Sequence, residues 1–408
     1  MSGFTFFALF ISTAALASYV NYRFVKLPST VGLMVIGLGV SLGLIGLSLL
    51  GLDVAKYAER WVGSFDFSET LMNGMLSILL FAGAIKVNLD DLAEQKFIVT
   101  TLATGGVVVT TFLVGSVIYF VFNMLEMHLS YAYCLVFGAL IAPTDPVAVL
   151  SIMKSAGAPK SLETKIAGES LFNDGVGVVV FMVMLGIAGS GGEATVGGVF
   201  GLFAHEALGG VAFGLALGLV GYKLLKDVDS HHVEVLITLA LVLGGYALAS
   251  TLHTSGPIAI VVAGLLIGNY GRRFAMSETT RHHLDNFWEL LDEILNAVLF
   301  VWIGLEILLL SFTADYMIAG LIAIPLTLAA RFVSVGAAVN LLKFRRDFSP
   351  NAVKILTWGG LRGGISIALA LSLTPGPARD AIVAITYIVV LFSILVQGLT
   401  IKRVVSGR

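Results

Sequence analysis

Two aspartates lie within long apolar stretches of the chain, where a charged side chain is costly. Asp145 belongs to the segment APTDP at 142–146, and Asp174 closes the segment GESLFND at 168–174. A carboxylate in the middle of a membrane costs roughly 3 kcal/mol on insertion scales, so one that is retained there usually has a function. The function that this pair favours is to bind a small cation and to exchange it for a proton.

Oxygen atoms surround Asp145. Thr144 supplies a hydroxyl, and the prolines at 143 and 146 donate no N–H, so the carbonyls of Ala139 and Ala142 lose their helical partners. Hard monovalent cations prefer oxygen ligands. The segment therefore predicts half of a cation site, although a carboxylate that merely satisfies freed N–H groups is the alternative.

A second set of oxygen ligands accompanies Asp174. Ser170, Asn173 and Asp174 are spaced i, i+3 and i+4, so they share one face of a helix. A plain polar contact between helices is the alternative for this face. We predict a site for Na⁺ and H⁺ with Asn173 beside it, in which Na⁺ is held by Asp174, Asp145, Ser170 and Thr144.

Competition between the cation and the proton follows from the chemistry of a dehydrated carboxylate. Burial disfavours the charged form, whereas a bound cation favours it and expels the proton. A site that holds either species, and crosses the membrane only when occupied, is an exchanger. We predict Asp174 as the titrating carrier, coupled to Asp145.

A buried ion pair is predicted between Glu169 and Arg362. Glu169 precedes Asp174 by five residues and so points about 140° away from it on a helix. Arg362 lies in the glycine-rich segment WGGLRGG at 358–364. Each of these charges would be destabilising without a partner inside a membrane.

Two further polar residues are candidates for the ion path. Arg331 either neutralises a carboxylate near that path or pairs with an acidic residue of the tenth apolar stretch, and the sequence does not choose among Asp292, Glu293 and Glu306. Asn296 is predicted to line the same cavity.

The composition predicts an all-α polytopic membrane protein. Of 408 residues, 57% are hydrophobic and 12% charged, and the mean hydropathy is +0.96, whereas soluble domains are about 25% charged. No basic tract indicates a nucleic-acid partner, and no GxxxxGK[ST] loop indicates a nucleotide or other cofactor. HEALG at 205–209 lacks the second histidine of a zinc protease and GESLF at 168–172 departs from GxSxG, so we do not expect an enzyme. Transport would be driven by ion gradients.

The apolar stretches predict about 13 transmembrane helices, since a span needs about 20 residues. The predicted spans are 3–21, 29–50, 70–87, 97–121, 131–152, 166–188, 197–222, 233–251, 254–270, 287–311, 315–342, 353–374 and 380–401.

The basic residues predict the orientation. Of the 24 lysines and arginines, 19 fall in odd-numbered connections or after the last span. Basic residues concentrate on the cytoplasmic side, so we expect the N-terminus outside and the C-terminus in the cytoplasm, in the plasma (inner) membrane. The first apolar run, 4–20, has no positive charge before it, so we interpret it as a transmembrane helix and not as a signal peptide.

Two spans are interrupted at corresponding places. Prolines break the fifth span, and four glycines in six residues break the twelfth. Spans five and twelve, like six and thirteen, are seven apart. This spacing predicts two inverted repeats with crossed broken helices, about 1–188 and 233–408, joined by a linker helix at 197–222, and such breaks mark transporter binding sites.

The chain resembles the cation:proton antiporters, and within them the electroneutral sodium/proton branch. The resemblance covers essentially the full length of the chain. The joint presence of APTDPVA (142–148) and GESLFNDGVGVV (168–179) is its most specific feature. The other segments that carry it are LPSTVGLMVIGL (27–38), LLFAGA (79–84), SGPIA (255–259), AARF (329–332) and WGGLRGGIS (358–366).

The resemblance implies an architecture and an assembly. The chain 1–408 would be a single transporter unit in which core helices, about 97–188 and 315–401, move against a scaffold that forms a homodimer. It also implies a role in sodium transport and pH homeostasis.

The resemblance also implies residue roles. Asp174 is similar to the family's ion- and proton-binding aspartate, and Glu169 and Arg362 are similar to its buried ion pair. Asn173 stands where the electrogenic branch carries a second aspartate, which favours one-for-one exchange. Ala82 stands where some relatives carry an acidic residue, so the preference among Na⁺, Li⁺ and K⁺ stays open.

Two alternatives remain at this stage. A K⁺/H⁺ antiporter would use the same site, and a Na⁺-coupled symporter of organic solutes would need a roomier apolar pocket. A channel is a further alternative, although an occluded pair of carboxylates favours a carrier.

Overall fold

The structure, a computed structural model, describes residues 3–52, 54–63, 67–147, 149–150, 153, 160–189, 196–310, 312–343 and 351–406. Regular structure in these residues is entirely helical. This agrees with the membrane setting, where helices satisfy their backbone hydrogen bonds internally. The all-α prediction is confirmed.

The first half of the chain forms six long helices, α1 to α6. Several of them contain a π-helical turn. Their bounds are α1 Gly3–Val20, continued by Asn21–Val25; α2 Ser29–Leu49; α3 Phe67–Thr70, Leu71–Met75 and Leu76–Lys86; α4 Leu89–Met124; α5 Tyr131–Ile141, with helical backbone again from Val147; and α6 Lys160–Gly189.

The second half supplies seven more, α7 to α13. Their bounds are α7 Val196–Lys226; α8 His231–Thr251; α9 Gly256–Leu266, continued by Ile267–Gly271 and Arg272–Phe274; α10 Glu278–Glu306, ending in the 3-10 turn Ile307–Leu309; α11 Ala314–Leu342; α12 Ala352–Trp358 and Gly364–Leu371; and α13 Pro377–Val405. The described ranges therefore contain the thirteen helices that the apolar stretches predict.

Seven helices of the described chain are long and apolar enough to cross a membrane on their own: α2, α4, α6, α7, α8, α11 and α13. The remaining helices fall short for different reasons: a break or a turn divides α3, α5, α9 and α12, whereas α10 is continuous from Glu278 to Glu306 but carries too many charged residues. Thus α5 is helical only to Ile141 before its break, and α12 is divided between Trp358 and Gly364. The division is itself informative, since irregular backbone at membrane depth is tolerated only where protein or a water-filled cavity surrounds it.

The two broken helices cross at their breaks. The backbone N–H of Asp145 in the α5 break donates to the carbonyl of Leu361 in the α12 break, at 2.8 Å. Two side chains of α13 bind the backbone of the α12 break. Ser393 Oγ accepts from the N–H of Arg362 at 2.8 Å, and Gln397 Nε2 donates to the carbonyl of Trp358 at 2.9 Å. Backbone groups freed by the breaks thereby regain partners.

Small residues bring α2 and α10 into close contact. A Cβ on Gly304 would lie 2.6 Å from the N atom of Leu38, and one on Gly37 would lie 2.5 Å from the carbonyl oxygen of Val301. Ser41 Oγ donates to the carbonyl of Gly304 at 2.9 Å. Close backbone approach through glycine and serine is the usual way for membrane helices to pack tightly, so α2 and α10 form one rigid pair.

Short elements connect the spans at the surface. A nine-residue helix, Val54–Val62, lies between α2 and α3 and packs over the 3-10 turn that ends α10. The α3–α4 connection is fixed by Asn269 of α9, whose side chain accepts from the N–H of Leu89 and donates to the carbonyl of Val87, both at 2.9 Å. This connection stands at the rim of the cavity described next.

Candidate cation and proton site

A cavity of about 1370 Å³ extends from one surface of the protein to the crossing of the broken helices. Its wall includes exposed residues at one end, among them Tyr22 and Lys160, and the buried Thr144 and Asp174 at the other. The basic residues Lys26, Lys86 and Lys160 all line this wall. The closed end of the cavity is the candidate site.

Asp145 and Asp174 both face the closed end of the cavity. Asp145 is half-buried, and its Oδ1 accepts from the N–H of Val147 at 2.9 Å, which fixes the carboxylate on the turn. Asp174 is 8% exposed, and its carboxylate interacts electrostatically with that of Asp145. The Asp174 side chain forms no hydrogen bond with a described residue. The Asp174 carboxylate is thus the less engaged of the two and can accept a proton or a cation from the cavity.

A buried hydrogen-bond network fixes Thr144 beside these carboxylates. Asn173 accepts from the Thr144 N–H at 3.3 Å and donates from Nδ2 to the Thr144 hydroxyl at 2.9 Å, and Ser170 Oγ lies 3.1 Å from the same hydroxyl. Ser170 and Asn173 are at most 2% exposed and do not line the cavity, whereas Thr144 does. The predicted spacing therefore brings Ser170, Asn173 and Thr144 together, with Thr144 as the one that the cavity reaches.

Glu169 pairs with Arg331 and not with Arg362. The Arg331 guanidinium binds the Glu169 carboxylate with both ends, Nη1 to Oε1 and Nη2 to Oε2, the second at 2.8 Å. Glu169 is 1% exposed and Arg331 4%. A two-pronged contact of this kind is the strongest geometry for a buried ion pair. The predicted contact between Glu169 and Arg362 is therefore wrong.

Arg362 binds the broken backbone of α5 instead. Its Nη1 donates to the carbonyls of Ala142 at 2.5 Å and Pro143 at 2.9 Å. The Ala142 carbonyl is one of the two that the prolines were predicted to leave free, and the other, of Ala139, accepts from the N–H of Ala142 at 3.4 Å. The guanidinium is drawn to these oxygens because freed carbonyls at membrane depth have no water to bind. A glycine at 360 leaves room for Arg331, since a Cβ there would lie 2.7 Å from the Arg331 Nε.

Asn296 lines the cavity as predicted, together with Asp292 one turn before it. The Asn296 Nδ2 donates to the Asp292 carbonyl at 2.9 Å and to its Oδ1 at 3.0 Å, and the ammonium of Lys86 stands 4.0 Å from Asp292 Oδ2. Ala82 is fully buried in the same wall. This position therefore contributes no ligand to the cavity in this chain.

Sequence reasoning missed two features of the site. It did not assign Arg331 to Glu169, and it did not anticipate that Asn173 of α6 holds Thr144 of the α5 break by two hydrogen bonds. A signal was present for the first, because Arg331 and Glu169 are both charges within spans. Nothing in a linear sequence measures the distance between α6 and α11.

Residues 11–407 match the family model described as "Sodium/hydrogen exchanger, transmembrane". The chain is 51% identical to the Na(+)/H(+) antiporter NhaP of Pseudomonas aeruginosa over 98% of this chain and 97% of that protein. It is 36% identical to the Na(+)/H(+) antiporter NhaH of Halobacillus dabanensis over 98% of this chain and 95% of that protein. This chain is a member of the sodium/hydrogen exchanger family. Members of this family are membrane transporters, and the chain is not an enzyme.

A solved structure shares the fold. The sodium proton antiporter MjNhaP1 from Methanocaldococcus jannaschii, at pH 8, superimposes with a TM-score of 0.77 and 21% sequence identity, covering 98% of this chain and 97% of that one. The predicted architecture of about 13 helices with broken helices in two repeats is thereby confirmed, and so is the predicted family. The exchanger is a multi-pass membrane protein.

Proposed function

We propose that this exchanger is a secondary active antiporter that carries Na⁺ or Li⁺ in one direction and H⁺ in the other, with both competing for Asp174. The single observation that carries the proposal is the pair of carboxylates, Asp174 and Asp145, at the closed end of a cavity that reaches one surface. The close relative named as a Na(+)/H(+) antiporter supports the same activity.

Competition follows from the state of the Asp174 side chain. With no described hydrogen-bond donor, the buried carboxylate is stabilised either by a proton or by a cation that Asp145 and the Thr144 hydroxyl help to hold. Ser170 and Asn173 position that hydroxyl and complete the group of ion- and proton-binding residues. Binding of one species excludes the other because both neutralise the same charge.

Exchange of one Na⁺ for one H⁺ accounts for the residue at 173. An aspartate there would add a second titrating group, whereas Asn173 is neutral and both ends of its side chain are engaged with Thr144. With Asp174 as the only carrier, each cycle moves one positive charge in each direction. We therefore expect electroneutral exchange.

The orientation, the domains and the assembly are part of the proposal. The distribution of basic residues supports an inner-membrane protein with its N-terminus outside and its C-terminus in the cytoplasm, so the cavity would open to the cytoplasm. The crossing of α5 and α12 supports a core of about 97–188 and 315–401 that moves against the remaining helices. A homodimer through those remaining helices agrees with the exposed apolar residues of α1, α7 and α8.

Measurement of ΔpH-driven exchange in proteoliposomes tests the function. The wild type should dissipate a pH gradient on addition of Na⁺, and Asp174→Asn should abolish this, whereas Asp90→Asn, at an exposed position, should not. The apparent Na⁺ affinity of the wild type should rise with pH by at most about tenfold per pH unit, since a single proton competes. Exchange retained in Asp174→Asn would remove Asp174 from the mechanism, and exchange with K⁺ but not Na⁺ would establish a K⁺/H⁺ antiporter.

A further inference from the structure

Glu306 is a buried carboxylate that the proposed exchange mechanism leaves unused. It ends α10, is 3% exposed, and its Oε2 has no hydrogen-bond partner among the described residues. A charged carboxylate in this condition is costly because neither water nor a donor stabilises one of its oxygens. A proton on the carboxyl would remove that cost.

Glu306 lies on the far side of the cavity's closed end. Leu299 stands in the cavity wall, and Leu299, Ile303 and Glu306 follow one another at i, i+4 and i+7 on one face of α10. Glu306 is thus about 10 Å beyond Leu299, away from the opening, at a rise of 1.5 Å per residue. Ile303, Tyr387 and Val390 are fully buried in the apolar cluster that fills this side.

The cluster joins two helices that the transport cycle must separate. Tyr387 of α13 donates its hydroxyl to the carbonyl of Ile303 in α10 at 2.5 Å, one turn before Glu306. In the proposed division α13 belongs to the moving core, and α10 is fixed to α2 of the scaffold through Gly304 and Ser41. When the core moves to open the other surface, this contact must break and Glu306 must meet water.

Few charged or titratable groups face Glu306. On α10 the Trp302 indole N–H is within hydrogen-bonding reach of the carboxyl, and on α13 the Tyr387 phenol and the Arg379 guanidinium are within electrostatic reach. The indole and the guanidinium favour the charged form, but they leave Oε2 without a donor among the described residues. Arg379 forms no ion pair with Glu306 and donates from Nε to the carbonyl of Leu371 at 3.3 Å. The short helix over the end of α10 carries Lys56, Glu59 and Arg60, all exposed. None of these groups replaces a proton on the buried carboxyl.

We infer that Glu306 is a second proton-binding residue, which is protonated while the outer end is closed and releases its proton to the external solution when that end opens. The inference rests on the proposed function and on its inside–outside orientation. Glu306 is a positioning residue, since it never carries the proton across. Because opening releases a proton outward, a high external pH favours the open outer state, and an acidic external solution favours the closed one.

A permanently neutral side chain tests the inference. In Glu306→Gln, opening of the outer end is no longer favoured by release of a proton. The exchange rate of the variant should therefore equal that of the wild type near external pH 6 and fall several-fold below it near pH 8.5. This is roughly the range over which a buried carboxyl titrates. The internal pH is held constant, and sidedness is set by comparing right-side-out with everted membrane vesicles. Asp315→Asn, an exposed carboxylate at the same predicted outer side, is the matched control and should keep the wild-type profile.

An external-pH profile of Glu306→Gln that coincides with the wild-type profile would overturn the inference. If the glutamine variant does not accumulate in membranes, Glu306→Asp keeps the carboxyl at a shorter reach. A shifted midpoint in its external-pH profile supports the inference, and an unshifted midpoint overturns it. The proposed function is tested separately, because wild-type exchange and its loss in Asp174→Asn do not depend on Glu306.

Discussion

The side chains of Thr144 and Glu169 are held by partners on neighbouring helices. Thr144 of α5 is fixed by Ser170 and Asn173 of α6. Glu169, on the same helix but pointing away from that network, is fixed by Arg331 of α11. The arrangement separates two tasks on α6: one face presents Asp174 to the cavity, and the other anchors the helix through a buried ion pair.

Charge reversal of Glu169 and Arg331 is the test of that anchor. Either single reversal, Glu169→Arg or Arg331→Glu, leaves two like charges buried together, and breaking such a pair costs about 3–5 kcal/mol. The double variant should recover much of the loss, measured as protein in the membrane and as thermal stability in detergent. Glu169→Arg combined with Arg362→Glu is the matched comparison and should not recover it. Equal recovery in both pairs would contradict the assignment of Arg331.

The interrupted helices act as a unit because each break supplies the hydrogen-bond partners that the other lacks. The α12 break gives a carbonyl to Asp145 and the Arg362 guanidinium to the α5 carbonyls. Close approach also requires the absence of a side chain at 363, where a Cβ would lie 2.3 Å from Asp145 Oδ2. The crossing therefore determines where the Asp145 carboxylate stands.

Gly363→Ala should displace Asp145 without unfolding the protein. The backbone at 363, with φ −129°, is open to any residue, so the effect arises from the contact alone, and overpacking of this kind costs about 1–3 kcal/mol. We expect the apparent Na⁺ affinity in the proteoliposome assay to fall by about tenfold, the equivalent of 1.4 kcal/mol. Gly336→Ala in α11, where a Cβ would meet nothing within 4 Å, is the control. An unchanged Na⁺ affinity in Gly363→Ala would mean that Asp145 does not hold the cation.

At the scale of the whole molecule, the cavity reaches one surface while the opposite side is closed by a buried cluster around Ile303 and Tyr387. A carrier needs this asymmetry, because a site open to both sides would be a channel. The site lies where the interrupted helices α5 and α12 cross, and interrupted helices of this kind form the binding sites of many transporters.

Electroneutral exchange makes a prediction for the complete protein in a membrane. Moving one net elementary charge across a potential of 100 mV changes the free energy by about 2.3 kcal/mol. If each cycle moved one net charge, the potential would change the final ratio of the ion gradients by about fiftyfold. We expect no such shift in Na⁺/H⁺ exchange when the potential is set with K⁺ and valinomycin, once K⁺ transport has been measured separately. A potential-dependent end point would show that Na⁺ and H⁺ are not exchanged one for one, which would contradict the prediction.

The sequence by itself determined the class of the protein, the number of helices and the two breaks, and it named the candidate site residues Asp145 and Asp174 that line the cavity. These features are local: each depends on the cost of placing an apolar or charged side chain in a given solvent, or on whether a proline or glycine can continue a helix. The tertiary structure alone decided which charge pairs with which. The sequence offers both Arg331 and Arg362 as charges within spans and favours Arg362 as the partner of Glu169. In the structure the Arg331 side chain reaches Glu169 from α11, while Arg362 is held at the α5 carbonyls. An ion pair and a carbonyl cap each require contact within a few ångströms.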